Sequence, residues 1–99
     1  MPESDHLAIT LAHRLRRSDQ VLFQNVGGEG VLLDLSGETY FGLNKVGTRV
    51  WELLLQRDDL AAVHQTLCDE FDAMPATIER DLLTLAAQLA QAGLVTVEE

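Results

Sequence analysis

Two glycine-bearing breaks, Gly27-Gly28 and Ser36-Gly37, divide residues 21–43 into three short stretches rich in β-branched and aromatic side chains. This punctuation constrains the chain more than any other feature, because stretches of such length between turn residues read as strands in tight succession. The expected strands are Val21 to Val26, Val31 to Leu35 and Thr39 to Leu43, arranged as an antiparallel meander. Side chains alternate along a strand, so Thr39, Phe41 and Leu43 share one face of the third while Tyr40 and Gly42 share the other.

After this segment the hydrophobic period changes from two to that of a helix. Asn44 suits a helix N-cap, and Val46, Val50, Trp51 and Leu54 then recur at helical spacing as far as about Gln56. Asp58 or Asp59 can cap a second helix, whose apolar stripe is Leu60, Val63, Leu67 and Phe71. Pro75 opens a third, with Ile78, Leu82, Leu85 and Leu89 as its inner face and Gly93-Leu94 as a left-handed C-cap. The expected fold class is therefore α+β, a three-stranded antiparallel sheet followed by three helices. Residues 1–18 carry only a weak helical pattern (Leu7, Leu11, Leu15) with no cap and are read as an arm whose order the sequence leaves open, with residues 19–99 as the domain.

With 99 residues and 46% hydrophobic content, the chain can build one modest core without disulfide or metal. Its apolar runs are far shorter than the roughly 20 residues of a membrane span, and its first residues lack the pattern of a secretory signal. A cytoplasmic location is expected, and the single cysteine, Cys68, fits a reducing compartment. A formal net charge of −9 disfavours a phosphate-tracking surface. Arg14, Arg16 and Arg17 precede the first expected strand, so the rest of the chain is more acidic still.

The residue types that carry chemistry are present without the spacing that chemistry needs. His6, His13 and His64 are scattered, Cys68 has no evident base partner, and Ser36 belongs to a turn. Adjacent acids such as Asp58-Asp59 and Asp69-Glu70 point in different directions on a helix and suit caps. No catalytic set, cofactor or metal is expected. A binding role is open instead, since the third strand of a meander lies at a sheet edge with unpaired N–H and C=O groups. A guest peptide could add there as a strand, with pockets walled by the third helix, which is smoothed by Ala86, Ala87 and Ala90. Tyr40, Phe41, Leu82 and Leu85 can equally be read as core, as apolar stripes usually are.

Beyond periodicity, the run GGEGVLLDLSGETYFGLNKVGTRVWELL (Gly27 to Leu54) with FDAMPATIERDLLTLAAQLAQAGLV (Phe71 to Val95) resembles the PqqD-like family over roughly Val21 to Val97. The likeness rests on "VLLDL", "YFGLN", "VGTRVWELL" and an Asp-Leu-Leu helix ending in "AGLV", in that order. The resemblance implies a winged helix-turn-helix that serves as a non-catalytic precursor-peptide recognition element, a chaperone of sorts for ribosomally made peptides. It implies leader docking as an extra strand at Thr39, Tyr40, Phe41, Gly42 and Leu43, in a groove walled by Asp81, Leu82, Leu85, Ala86 and Leu89. The Tyr-Phe-Gly-Leu variant looks closer to relatives beside lasso-peptide or other tailoring genes. The implied partners are a leader segment and a tailoring enzyme such as a leader peptidase, a cyclase or a radical enzyme.

Two alternatives use the same fold. A winged helix can bind DNA, but the third helix sets Arg80, Gln88 and Gln91 against Glu79 and Asp81, and the basic arm is more simply a solvated one, so no nucleic-acid partner is expected. The exposed edge could also pair with itself, giving a homodimer or a self-associating assembly module.

Overall fold

The computed structural model describes residues 9–98. Eight elements follow in order: β1 (Arg14–Arg17), β2 (Val21–Val26), β3 (Glu29–Asp34), β4 (Thr39–Gly42), α1 (Lys45–Leu54), α2 (Leu60–Glu70), α3 (Pro75–Gln91) and β5 (Val95–Glu98). The antiparallel sheet β2-β3-β4 followed by three helices is the α+β arrangement that the turn residues and periodicity imply.

Local chemistry sets the boundaries. Gly27 and Gly28 both adopt positive φ, the conformation a tight hairpin turn requires and which other residues resist. The Asn44 side chain accepts from the Gly47 amide at 2.8 Å and starts α1. Asp59 does the same for α2 through the Ala61 amide at 2.9 Å, and Pro75 occupies the first turn of α3. Gly93, at φ 79°, ends α3 by letting the Leu94 amide return to the Leu89 carbonyl at 3.0 Å, which buries Leu94 in the core.

One face of the sheet and the inner stripes of the helices form a single core. Leu32 from β3, Trp51 from α1, Leu60, Val63 and Leu67 from α2, and Leu82, Ala86 and Leu89 from α3 are all buried in it. Thr48 is the buried polar residue among those described. Its hydroxyl accepts from the Gly30 amide at 2.6 Å and donates to the Asn44 carbonyl at 2.7 Å, tying β3 to the start of α1. Gly30 admits this close approach, since a Cβ there would meet the Phe23 ring at 2.5 Å.

The segment read as an arm is described from residue 9 on. Its residues 14–17 form β1, paired antiparallel with β5 in a separate two-stranded sheet that matches Leu15 with Val97 and Arg17 with Val95. The Leu15 amide also donates to the Asp58 carbonyl at 2.9 Å, and the Leu60 amide to the His13 carbonyl at 3.2 Å. Leu15 and Val95 are buried, and the Arg17 guanidinium lies 5.8 Å from the centre of the Trp51 ring. The four-residue spacing of Leu7, Leu11 and Leu15 reads as helical, but the ladder to β5 holds residues 14–17 extended, with Leu15 buried between the exposed Arg14 and Arg16. Leu7 lies outside the described residues. Val95 to Glu98 carries a similar apolar-polar alternation.

Candidate functional site

The β4 strand is an edge. Its partner on one side is β3, with Leu32 opposite Phe41 and Leu33 opposite Tyr40, and no described strand pairs with it on the other side. The Leu43 amide donates to the Gly30 carbonyl at 2.8 Å. In an antiparallel ladder such bonded pairs recur every second residue, so Thr39 and Phe41 direct their backbone groups to β3. The N–H and C=O groups of Tyr40 and Gly42 therefore point away from the sheet. Among the described residues, β1 and β5, the two elements nearest the chain ends, pair with each other and not with this border. The turn before β4 is held by the Ser36 hydroxyl, which donates to the Asp34 carboxylate at 2.8 Å. That bond, joined by the Ser36 and Gly37 amides, keeps the Asp34 carboxyl below its ordinary range.

Beside the free border runs a groove of about 300 Å³ between β4, α1 and α3. Phe41, Leu43, Val46, Val50, Leu82 and Leu85 give it an apolar floor, while Asn44, Asp81, Thr84 and Gln88 supply polar groups. Asp81 is largely solvent-exposed, its carboxylate 3.6 Å from Arg80. Among the described residues no Lys or Arg lines the groove. An extended segment laid along β4 would thus meet outward main-chain donors and acceptors, an apolar trough and one acidic side chain.

The structure sorts the residues singled out from the sequence. Phe41, Gly42, Leu43, Asp81, Leu82 and Leu85 come together around the groove. Thr39 and Tyr40 sit on the same strand but outside the groove, Tyr40 standing on the opposite, solvent-facing side of the sheet with 77% of its surface exposed. Ala86 and Leu89 do not reach the groove; each directly follows a groove-lining residue, Leu85 or Gln88, but is turned about the helix axis into the core. Thr84 and Gln88, their neighbours on the helix, take that place. The first turns of α1, with Asn44, Val46, Gly47 and Val50, form a wall that sequence reasoning missed. The signal was there: an N-cap directly after the edge strand forces the helix to begin beside it. Gly47 matters to that approach, for a Cβ there would meet the Leu43 side chain at 3.2 Å.

Other chemistry-bearing groups are committed elsewhere. The His64 Nε2 lies 2.9 Å from the Pro75 carbonyl, which can only accept, so this nitrogen carries its proton and cannot serve as a base for Cys68 at 3.5 Å. Arg49 forms a two-pronged bond to Glu70 at 2.8 and 2.7 Å, clamping α1 to α2. The hydrogen bonds that Arg49 donates hold the Glu70 carboxyl below its ordinary range, and the same bonds raise the guanidinium. Among the described residues no cluster of three or more His, Cys, Asp or Glu could hold a metal ion. Nor, among the described residues, is any helix long and apolar enough to cross a membrane.

Comparison with curated proteins gives no match. Solved structures do match. One, described as TbiB1 in complex with the TbiA(beta) leader peptide, is 36% identical, with a TM-score of 0.76, 81% of this chain and 93% of that chain being covered. Another, a lasso peptide synthetase B1 complexed with the leader peptide, is 25% identical with a TM-score of 0.74, over 84% of this chain and 98% of that one. The sequence pattern of the family described as coenzyme PQQ synthesis protein D (PqqD) matches residues 29–95. That match runs from β3 through the edge strand and all three helices to the first residue of β5, and so the chain belongs to the PqqD family.

Proposed function

We propose that this protein is a non-catalytic binding domain that captures the leader segment of a ribosomally synthesised precursor peptide and presents it to a tailoring enzyme. The leader adds as a strand to the free border of β4, bonding to the N–H and C=O groups of Tyr40 and Gly42. Alternate leader side chains enter the trough formed by Phe41, Leu43, Val46, Leu82 and Leu85. The observation that carries this reading is the adjacency, on one side of the sheet, of an apolar groove and a strand border with no partner among the described residues. β2 is also an edge, but the groove lies along β4. Support comes from the two similar solved proteins, each bound to a leader peptide. The enzyme served is a leader peptidase, a cyclase or a radical enzyme, and a cytoplasmic setting suits a chain with one free thiol.

Residue-resolved hydrogen exchange with and without a synthetic leader tests the site. Outward amides of Tyr40 and Gly42 should gain protection, whereas those of Thr39 and Phe41 are already bonded to β3 and should change little. Protection gained instead along β2, or nowhere in the sheet while the leader binds, would refute strand addition at β4.

A further inference from the structure

The face of the sheet turned away from the helices carries its own pattern. Cross-strand register aligns Leu22, Leu33 and Tyr40 in one row across β2, β3 and β4, with Val31 in the next row. Leu22 is 55% exposed, Val26 62% and, just beyond β3, Leu35 46%. A sheet with one face on the core ordinarily presents polar side chains on the other, so an apolar row there calls for a partner. Among the described residues, no element of the chain packs on it.

Charge narrows the choice of partner. From residue 18 to residue 44 there is no Lys, Arg or His, while Asp19, Glu29, Asp34 and Glu38 are all present. Glu29 lies on this outer face at the end of β3, and Glu38 in the turn at the other end of the sheet is exposed. A second copy of the chain would bring the same acids against themselves, which disfavours self-pairing. A surface with an apolar centre and Lys or Arg at its margin is complementary instead. The row also continues into the site described above, because Tyr40 belongs to the border strand. A leader residue paired with Tyr40 would extend the row by one side chain, bringing leader and sheet into one surface.

We propose that this outer face, centred on Leu22, Leu33 and Tyr40, docks the peptide-tailoring enzyme itself, through a basic-rimmed apolar patch on that enzyme. The proposal rests on leader capture at β4 and assigns the opposite side of the same sheet to the second partner. One molecule then holds substrate and enzyme within a strand's width of each other.

The test uses the full chain, a labelled synthetic leader and a purified leader peptidase, cyclase and radical tailoring enzyme, with Leu22→Lys as the probe and Ala61→Lys, at an exposed position of α2, as the control. Leu22 is on β2, away from the leader border, so its change should leave leader affinity within about twofold while weakening enzyme binding by at least about tenfold. Ala61→Lys should alter neither, and enzyme binding to the parent should weaken as salt is raised. If Leu22→Lys disturbs folding by circular dichroism, Leu35→Lys replaces it on the same face. Undiminished enzyme binding by the folded variant overturns the docking face and leaves leader capture standing. So does failure of the leader-bound parent to bind any of these enzymes, or a homodimer in light scattering that Leu22→Lys dissociates. A parent that binds no leader sinks the underlying reading of β4 instead.

Discussion

The Thr48 hydroxyl sits 2.6 Å from the Gly30 amide and closes the end of the β3-β4 ladder where the chain leaves the sheet for α1. One buried side chain thereby fixes the angle between the strand border and the helix that walls the groove. Thr48→Val keeps the shape but strands a buried N–H, which should lower stability by about 1–3 kcal/mol. Thr48→Ser should recover most of that loss. Urea unfolding of the three proteins checks this, and equal midpoints would show the bond to be dispensable.

Gly42 has nothing within 4 Å of where a Cβ would stand, and its N–H faces outward from β4. Gly42→Ala should therefore be tolerated in both folding and leader binding. Gly42→Pro removes a guest-facing donor without breaking a bond to β3, and should weaken leader affinity by about tenfold or more with the sheet intact. Fluorescence anisotropy with a labelled leader measures the change. Unaltered affinity in a folded Gly42→Pro variant would move the leader elsewhere.

Leu85 and Leu89 lie one turn apart on α3 but face different surroundings, Leu85 half-buried at the groove and Leu89 fully buried in the core. Leu85→Ala should cost about 1–2 kcal/mol of stability and reduce leader affinity. Leu89→Ala should cost about 2–5 kcal/mol, while its folded fraction binds leader normally. Paired thermal melts and titrations separate the two effects, and the reverse pattern would mean that α3 is rotated about its axis.

The Arg49–Glu70 clamp makes a pH-dependent contribution. Because hydrogen bonds from Arg49 hold the Glu70 carboxyl below its ordinary value of 4.5, the clamp is at full strength above that pH and is lost as pH falls through the depressed value. Both side chains are about one-third exposed, so Glu70→Gln should cost only roughly 1 kcal/mol near neutrality. The gap between parent and variant should shrink to nothing in acid. Unfolding curves across pH show whether it does; a constant gap would assign the effect to packing.

Much of this molecule was legible in the residues because its cues are local. Gly27-Gly28, Asn44, Asp59, Pro75 and Gly93 set boundaries through backbone conformation and capping, which depend on neighbours a few positions away. The edge strand and half of the candidate groove, Phe41 to Leu43 with Asp81, Leu82 and Leu85, followed from those boundaries and from the family resemblance. What failed in the sequence were features fixed by distant partners. β1 and β5 are four residues each, too short to announce a period, and they exist because residues 14–17 and 95–98 find each other across the fold. The exchange of Ala86 and Leu89 for Thr84 and Gln88 at the groove reflects the rotation of α3 about its axis. Spacing defines a helical stripe but not the neighbour it faces, and that choice is made only when Trp51, Leu67 and Leu89 close-pack in one core.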